Sequence, residues 1–577
     1  MSAQQPKEKS SLDPAPAPPS IHASSTGTGN PPPPDMRKIL LAAVIGIVAL
    51  WAGLKWSSGQ SASGSSHECK HGHALTDSAI VRCPVQPDVR NVGGDWNPAA
   101  SETDRDMAYA RLAEAVQIPT ESFDDMPMDP TDSRWDIFTT FETYLRQTFP
   151  LFHKHLELEH VNTHGLLFTW KGKNSSLKPV IFMAHQDVVP INPTTLDQWT
   201  YPPFSAHLDS EGWVWGRGTT DMKSTLIAQL SATEKLLSES FKPERTILYS
   251  FGFDEEITGP RGAGHLSQHI LKRYGRDGAS LILDEGFTGV DKDFGQTFAR
   301  VGLAEKGLMT VRISISMPGG HASRPPPHTA IGIAGMMFTA MEQNPGPLYL
   351  EATNPLIRYL ECAAAYGEMD KDTVGLVRCP QCWPQLAGEL AAEDVALEAF
   401  LRTTHAITVV NGGIKLNALP EHVTSLTNYR IGFFETSQDV LDRLIGAISP
   451  IAKAMNMTLD LFGSHANVAQ NVIRVETEYP PTEPAPLTPD SGPVWDLMGG
   501  TIKHVFPGAV VVPSAMTAFT DTQYYWDLSR HIYRFAPAPM TQLLNFHTVN
   551  ERIHINAHFS TIRFFYKLIN NLQGWQD

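Results

Sequence analysis

The sequence predicts an α/β fold: a domain built on a central mixed sheet, interrupted by an α+β insert and preceded by one apolar N-terminal segment. Three observations carry this reading. Short apolar runs (Ile181-Phe-Met-Ala, Ile247-Leu-Tyr-Ser-Phe-Gly-Phe and Leu281-Ile-Leu) have the unbroken hydrophobicity of strands buried on both faces. From about 106 to 305 such runs alternate with helical stretches, Thr225 to Ser240 among them. From 306 to about 465 the order becomes strand, helix, strand, strand, helix, strand, which is a ferredoxin-like pattern.

Taken in order, the elements divide a chain of 577 residues, too long for one ordinary core. Residues 1–38 are rich in Pro, Ser and Ala, with Pro31 to Pro34 in a run, and read as a disordered tail. Ile39 to Leu54 carry no charge and lie between Arg37-Lys38 and Lys55. As a helix this stretch covers about 24 Å against a hydrocarbon core of about 30 Å. Trp51 and Trp56 suit the interface and the flanking basic side chains can snorkel, so 39–56 is expected to be a transmembrane signal anchor. A Ser/Gly-rich lumenal stalk follows at 57–105, then a first catalytic segment at 106–305. The insert, a lid, spans 306–465 and is itself interrupted by a helical excursion at about 344–405. In it Leu308 to Ser316, Ala406 to Val410, Val423 to Ile431 and Leu459-Asp-Leu-Phe are the strands, and Ala330 to Gln343 and Val440 to Met455 the helices. A second catalytic segment at 466–577 holds the strand Ala509-Val-Val-Val-Pro and a last helix near Thr561 to Leu572.

Composition excludes some functions. Lys+Arg 45 against Asp+Glu 61 gives a net charge of −16, with no dense basic cluster, which argues against a nucleic-acid partner. The slight excess of positive charge before the apolar segment favours a cytosolic tail and a lumenal body. The sequons Asn174-Ser-Ser and Asn456-Met-Thr agree with a glycosylated, lumenal domain. Five cysteines do not make a disulfide scaffold. Cys69 and Cys83 are candidates to pair with each other, and Cys379-Pro-Gln-Cys382 reads as a local disulfide or two free thiols rather than half a zinc knuckle.

The chemistry sits where strands end. His185, Asp187, Asp221, Glu255, Glu256, Asp284 and His547 each follow an apolar run or lie in a Gly-flanked turn, so the fold would gather them at one sheet edge. Two metal ions that share Asp221 and a bridging water need few further ligands. His185 and Asp284 would complete one ion, and Glu256 and His547 the other, giving each the four-coordination that zinc prefers. Asp187 lies two residues from His185 on an extended segment, where it can accept from the ring nitrogen turned away from the metal. Glu255 is left over and points to general-base chemistry. Any one of these residues alone would be unremarkable; their joint occurrence suggests a dinuclear hydrolase.

These motifs resemble the co-catalytic zinc aminoacylase/carboxypeptidase family, on Met183-Ala-His185-Gln-Asp187-Val-Val-Pro190, Trp215-Gly-Arg-Gly-Thr-Thr-Asp221-Met-Lys223, Asp254-Glu-Glu-Ile-Thr-Gly259, Leu283-Asp284-Glu-Gly286 and Phe546-His547-Thr-Val-Asn-Glu551. The resemblance covers about residues 100 to 577 and implies a zinc-exopeptidase catalytic domain with two zinc ions per chain. It implies the same ligands, with Asp187 orienting and Glu255 as base. In Gly319-Gly-His321-Ala-Ser323 it assigns His321 to the oxyanion. It also assigns Asn417 and Arg430 to the substrate's terminal carboxylate, a role a guanidinium fork suits. The anchored N-terminus further resembles the fungal branch of the family that is delivered to the vacuole and released by processing. The lid excursion departs from shorter family lids, and the lid is a candidate homodimer surface. The expected activity is removal of the C-terminal residue of short peptides. The alternatives are an N-acyl-amino-acid hydrolase or synthase on the same centre, and an inactive membrane-tethered binding protein.

Overall fold

The three apolar runs form the inner strands of a nine-stranded mixed sheet in a computed structural model that describes residues 83–465 and 467–577. The tail at 1–38, the anchor at 39–56, Cys69 and most of the stalk lie outside the described residues; among those described, no helix is long and apolar enough to cross a membrane. Val180–His185 lies between Ile247–Gly252 and Leu281–Asp284, parallel to both, and every residue of the three strands is buried. Alternate side chains leave the sheet on opposite faces. Phe182, Tyr249 and Leu283 pack under Lys223–Ser238 and Ile555–Asn571, while Ile181, Leu248 and Ile282 pack on Ala263–Tyr274. Because all three strands run the same way, their carboxyl ends open on one edge.

Outward from that core, Gly165–Trp170 and Glu157–Val161 add antiparallel on one side. On the other side come Ile532–Arg534, Gln296–Glu305 and the edge strand Val510–Met516. Residues 83–100, read from the sequence as the end of a stalk, instead lie along the C-terminal helices. The Gln86 amide pairs with the backbone of Val511 in both directions, at 2.8 and 2.9 Å, standing in for a further strand at that edge. Lys503 Nζ donates to the Pro87 carbonyl, and Asn571 bonds the backbone of Arg90 and Val92. The expected Cys69–Cys83 pair is corrected: Cys83 is bonded to Cys362, and Cys379 to Cys382.

A second, five-stranded sheet runs Thr404–Gly412, His422–Ile431, Gly307–Ser316, Val472–Thr477, Thr458–Leu461. The first four strands are antiparallel, and Ala330–Glu342 and Ser437–Ala454 cover one face. The sequence reading ended this unit with Leu459-Asp-Leu-Phe, but that segment is a short parallel edge strand, and the strand beside Gly307–Ser316 is Val472–Thr477, beyond 465. The excursion at 344–405 is helical as expected, yet it docks on the first sheet. Leu356, Ile357 and Leu360 of Pro355–Tyr366 bury against Phe298, Val510 and Val512. Lys306, the single residue between Gln296–Glu305 and Gly307–Ser316, donates to the Ala399 and Arg402 carbonyls and to Thr404 Oγ1. The excursion therefore holds the joint between the two sheets.

Candidate metal centre

His185 ends its strand, and its side chain is fixed from behind. Nδ1 lies 3.0 Å from the Asp187 carbonyl and 3.3 Å from Asp187 Oδ1. Nε2 is thereby turned toward Asp221 Oδ1 at 3.1 Å and Glu285 Oε1 at 3.4 Å. The fully buried Asp187 carboxylate also accepts from Ser122 Oγ and from the backbone amides of Glu255 and Glu256. One carboxylate thus orients the imidazole and holds the segment that carries both glutamates.

Asp221 is the shared member. Its Oδ1 faces His185, and its Oδ2 lies 2.9 Å from Nε2 of His547, which also reaches Glu256 Oε2 at 3.1 Å. The Asp221 turn and the His547 loop are joined by a small sheet in which Arg552–His554 pairs with Trp213–Trp215. Between them Glu551, fully buried, accepts from Arg217 Nη1 at 2.5 Å and from Thr220 N and Oγ1 at 2.9 and 2.8 Å. His547 sits at φ 57° and the Asp221–Met222 peptide is cis.

Three overlapping sets of donor atoms result: His185 with Asp221 and Glu285, Asp221 with Glu256 and His547, and His185 with Glu255 and Glu256. The structure thus brings together His185, Asp221, Glu255, Glu256 and His547 as the sequence reading expected. It replaces Asp284. Asp284 is the last residue of its strand, and the next residue points the other way, so Glu285 faces His185. The Asp284 carboxyl is buried with Oδ2 unpartnered among the described residues, in the field of Glu305, His185 and Arg534. Sequence reasoning missed Glu285, Ser122 and the clamp role of Glu551. Glu285 and Glu551 stood inside the quoted motifs, but nothing near Ser122 marked it.

The electrostatics suit cations. Burial pushes the carboxyls of Glu255 and Glu285 well up, and that of Glu256 up to about 7, with neighbouring acids adding to the effect. Burial opposes ionisation of Asp221 too, yet hydrogen bonds from His185 and His547 hold its carboxyl well below the usual range. The same kind of bond, to Asp221 and Glu256, raises His547 to about 11. Crowded buried acids of this kind are relieved when divalent cations sit between them, and imidazole with carboxylate is a donor set such ions take. The residues fit two ions sharing Asp221.

The remaining expected residues divide. Arg430 is largely buried beside the cluster: its guanidinium lies 5.4 Å over the Phe519 ring, Nη1 has no partner among the described residues, and Glu255 lies in its field. His321 and Asn417 lie close to each other, since Gly320–His321 pairs with Ala418–Leu419 and Ala322 N donates to the Asn417 carbonyl. Both are exposed, and no described contact runs from either to the cluster.

Comparison with known proteins places this arrangement. Residues 181–571 match Peptidase family M20/M25/M40. Carboxypeptidase S of Saccharomyces cerevisiae is 41% identical over 494 residues, covering 82% of this chain and 85% of that protein. The N-fatty-acyl-amino acid synthase/hydrolase PM20D1 of Mus musculus is 30% identical, covering 83% of this chain and 90% of its own length. Among solved structures, the M20 family metallo-carboxypeptidase Sso-CP2 from Sulfolobus solfataricus superposes with a TM-score of 0.57 at 16% identity, over 81% of this chain and 99% of that one. The di-peptidase Dug1p from Saccharomyces cerevisiae superposes with a TM-score of 0.58 at 13% identity, over 82% and 98%.

Proposed function

We propose that this chain, which belongs to peptidase family M20/M25/M40, is a dinuclear zinc carboxypeptidase that hydrolyses the C-terminal peptide bond of short peptides. The observation that carries this reading is the shared Asp221 between His185 and His547, with Glu255 beside them and, in the field of Glu255, an Arg430 whose Nη1 has no hydrogen-bond partner among the described residues. His185 and Glu285 would hold one zinc, Glu256 and His547 the other, and Asp221 both. Bound there, the ions would polarise the scissile carbonyl and ease deprotonation of water. Arg430 grips the terminal carboxylate in its fork and so sets which bond lies at the centre. Glu255, kept basic yet poised by burial, takes a proton from the attacking water and returns it to the leaving amine. Asp187 keeps Glu255 in place through its backbone amide. Replacing Glu255 with Gln is expected to keep both metals and lower kcat by about 100-fold or more; near-normal turnover would refute the base assignment.

His321 and Asn417 complete this reading only across a dimer. Beside them Ile414 and Leu416 are fully exposed, and the edge strand Thr404–Gly412 has one paired side. A second copy docking through this lid face would bring His321 to its neighbour's oxyanion and Asn417 to the substrate carboxylate. The anchor at 39–56, lumenal and vacuolar placement and glycosylation at Asn174 and Asn456 belong to the same proposal; two disulfides support an oxidising compartment. The name of the mouse relative favours one second reading, hydrolysis or synthesis of N-acyl amino acids on the same centre.

A further inference from the structure

We infer that Lys306 is a positioning residue for Arg430: it fixes the guanidinium and the ring beneath it relative to the metal centre, and ties both to the helical excursion. The inference rests on the carboxypeptidase reading and its assignment of Arg430 to the terminal carboxylate. Arg430 lies between two strand neighbours, Leu308 on one side and Thr404 on the other. Lys306 holds both of them. Leu308 follows it by two residues, and the Lys306 ammonium donates to Thr404 Oγ1 at 3.2 Å. The Lys306 backbone amide donates to the Met516 carbonyl at 3.1 Å, three residues before Phe519, the ring over which the guanidinium lies. The preceding residue continues the grip. Glu305 accepts from Thr520 Oγ1 at 2.7 Å and Thr522 Oγ1 at 2.6 Å, just beyond Phe519.

The Lys306 side chain is buried, and its three hydrogen bonds go to neutral oxygens: Thr404 Oγ1 and the Ala399 and Arg402 carbonyls, the last two at 3.0 and 2.8 Å. Those carbonyls lie at the end of Val395–Leu401, the last helix of the excursion, and a cation satisfies carbonyls that a helix end leaves open. Burial first, and then the charge of Arg430, lower the Lys306 pKa to about 7, with Glu435 and Glu398 acting the other way. Stability alone gains little from a buried charge set beside another of the same sign. What the ammonium supplies is geometry: three directed bonds that join the excursion to a strand flanking Arg430. Without it the end of the excursion is released from Thr404 and the Arg430 fork can shift, while the metal donors stay in place on their own segments.

The test compares Gly-Leu with Gly-Leu amide on the full chain loaded with zinc, because a grip on the terminal carboxylate separates the two and a general loss of structure does not. The wild type is expected to favour the acid in kcat/KM by about 100-fold, the scale of loss when one partner of a buried charge pair is removed. Arg430→Gln is expected to abolish that preference. Lys306→Met is expected to lower it about 10-fold, below the roughly 100-fold that a misplacement of about 1 Å costs. The change should appear in KM for the acid, with kcat and zinc content near wild type. Thr404→Val, which removes only the hydroxyl contact, is expected to shift the preference the same way by less, and it carries the test if Lys306→Met does not fold. In the Arg430→Gln background, neither change should alter the acid-to-amide ratio further. No acid preference in the wild type, or its survival in Arg430→Gln, overturns the Arg430 reading and this inference with it. A preference that is lost in Arg430→Gln but unchanged in the folded Lys306 and Thr404 variants, including one that survives equal losses on acid and amide, overturns this inference alone.

Discussion

Replacing Glu285 rather than Asp284 should cost the protein one metal ion. In the structure one pole of the cluster is His185 and Glu285 with a share of Asp221; the other is His547 and Glu256 with the remaining share. Glu285→Gln leaves the first pole with one imidazole and one oxygen of a shared carboxylate, while the second keeps all three donors. Loss of a group that only hydrogen-bonds to a ligand typically weakens metal binding 10–100-fold. Loss of a direct anionic donor belongs at or above the upper end, about 100-fold, or about 2.7 kcal/mol. Dialysis against a weak chelator followed by elemental analysis should therefore give about one zinc per chain for Glu285→Gln, against about two for the wild type, with activity lost in parallel. Asp284→Asn should keep both ions, because that carboxyl belongs to none of the three donor sets; burial holds its pKa up at about 6. Two zincs in Glu285→Gln together with one in Asp284→Asn would refute this geometry and return the ligand to Asp284.

Two further outcomes follow from other parts of the chain. Active sites built across a dimer should complement: neither His321→Ala nor Glu255→Gln is expected to be active alone, but mixed and re-associated subunits should recover up to about a quarter of wild-type activity, the share of sites with both residues intact at random pairing. Monomeric protein at full activity in sedimentation would refute the trans assignment. Acid should destabilise the fold through His558, which is wholly buried in Ile555–Asn571 and whose pKa burial lowers from 6.5 to about 3. The unfolded chain takes up that proton below 6.5 and the folded chain does not, so the stability present above pH 6.5 falls by about 1.4 kcal/mol per pH unit toward pH 3. Urea titrations at pH 7 and pH 5 should show a drop about 2 kcal/mol smaller in His558→Gln than in the wild type; equal drops would refute it.

The donors legible in the sequence share one property: each follows a run whose hydrophobicity already declared a strand or a Gly-rich turn. Parallel strands bring their carboxyl ends together whatever lies between them, so His185 and the Glu255-Glu256 pair could be placed side by side from pattern alone. The lid strands were legible for a related reason, since Gly307–Ser316 and His422–Ile431 alternate buried and half-buried residues along most of their length. What stayed hidden depends on contacts distant in sequence. The strand Val472–Thr477 is short, and only its pairing with Gly307–Ser316 distinguishes it from a loop. Nothing local to Cys362 indicates Cys83, 279 residues away. Nor does anything in the helical excursion indicate that its buried face belongs to the first sheet.

The exchange of Asp284 for Glu285 has a different origin. Periodicity gives the parity of a strand's interior, where burial on the two faces can be compared, but Leu281–Asp284 is buried on both faces and carries no alternation to read. At the strand's end a shift of one residue moves a side chain from one face to the other. Adjacent acids then leave two assignments that composition and charge counting satisfy equally, since either supplies one carboxylate. Only the position of His185 Nε2 separates them, and that atom is fixed by Asp187 from an adjacent strand end. On the proposed reading the ligand is thus chosen by Asp187, two residues beyond His185, through the ring that its carbonyl and carboxylate hold. A change at Asp187 should accordingly disturb metal binding at the Glu285 pole, although Asp187 itself faces Ser122 and the Glu255 and Glu256 amides.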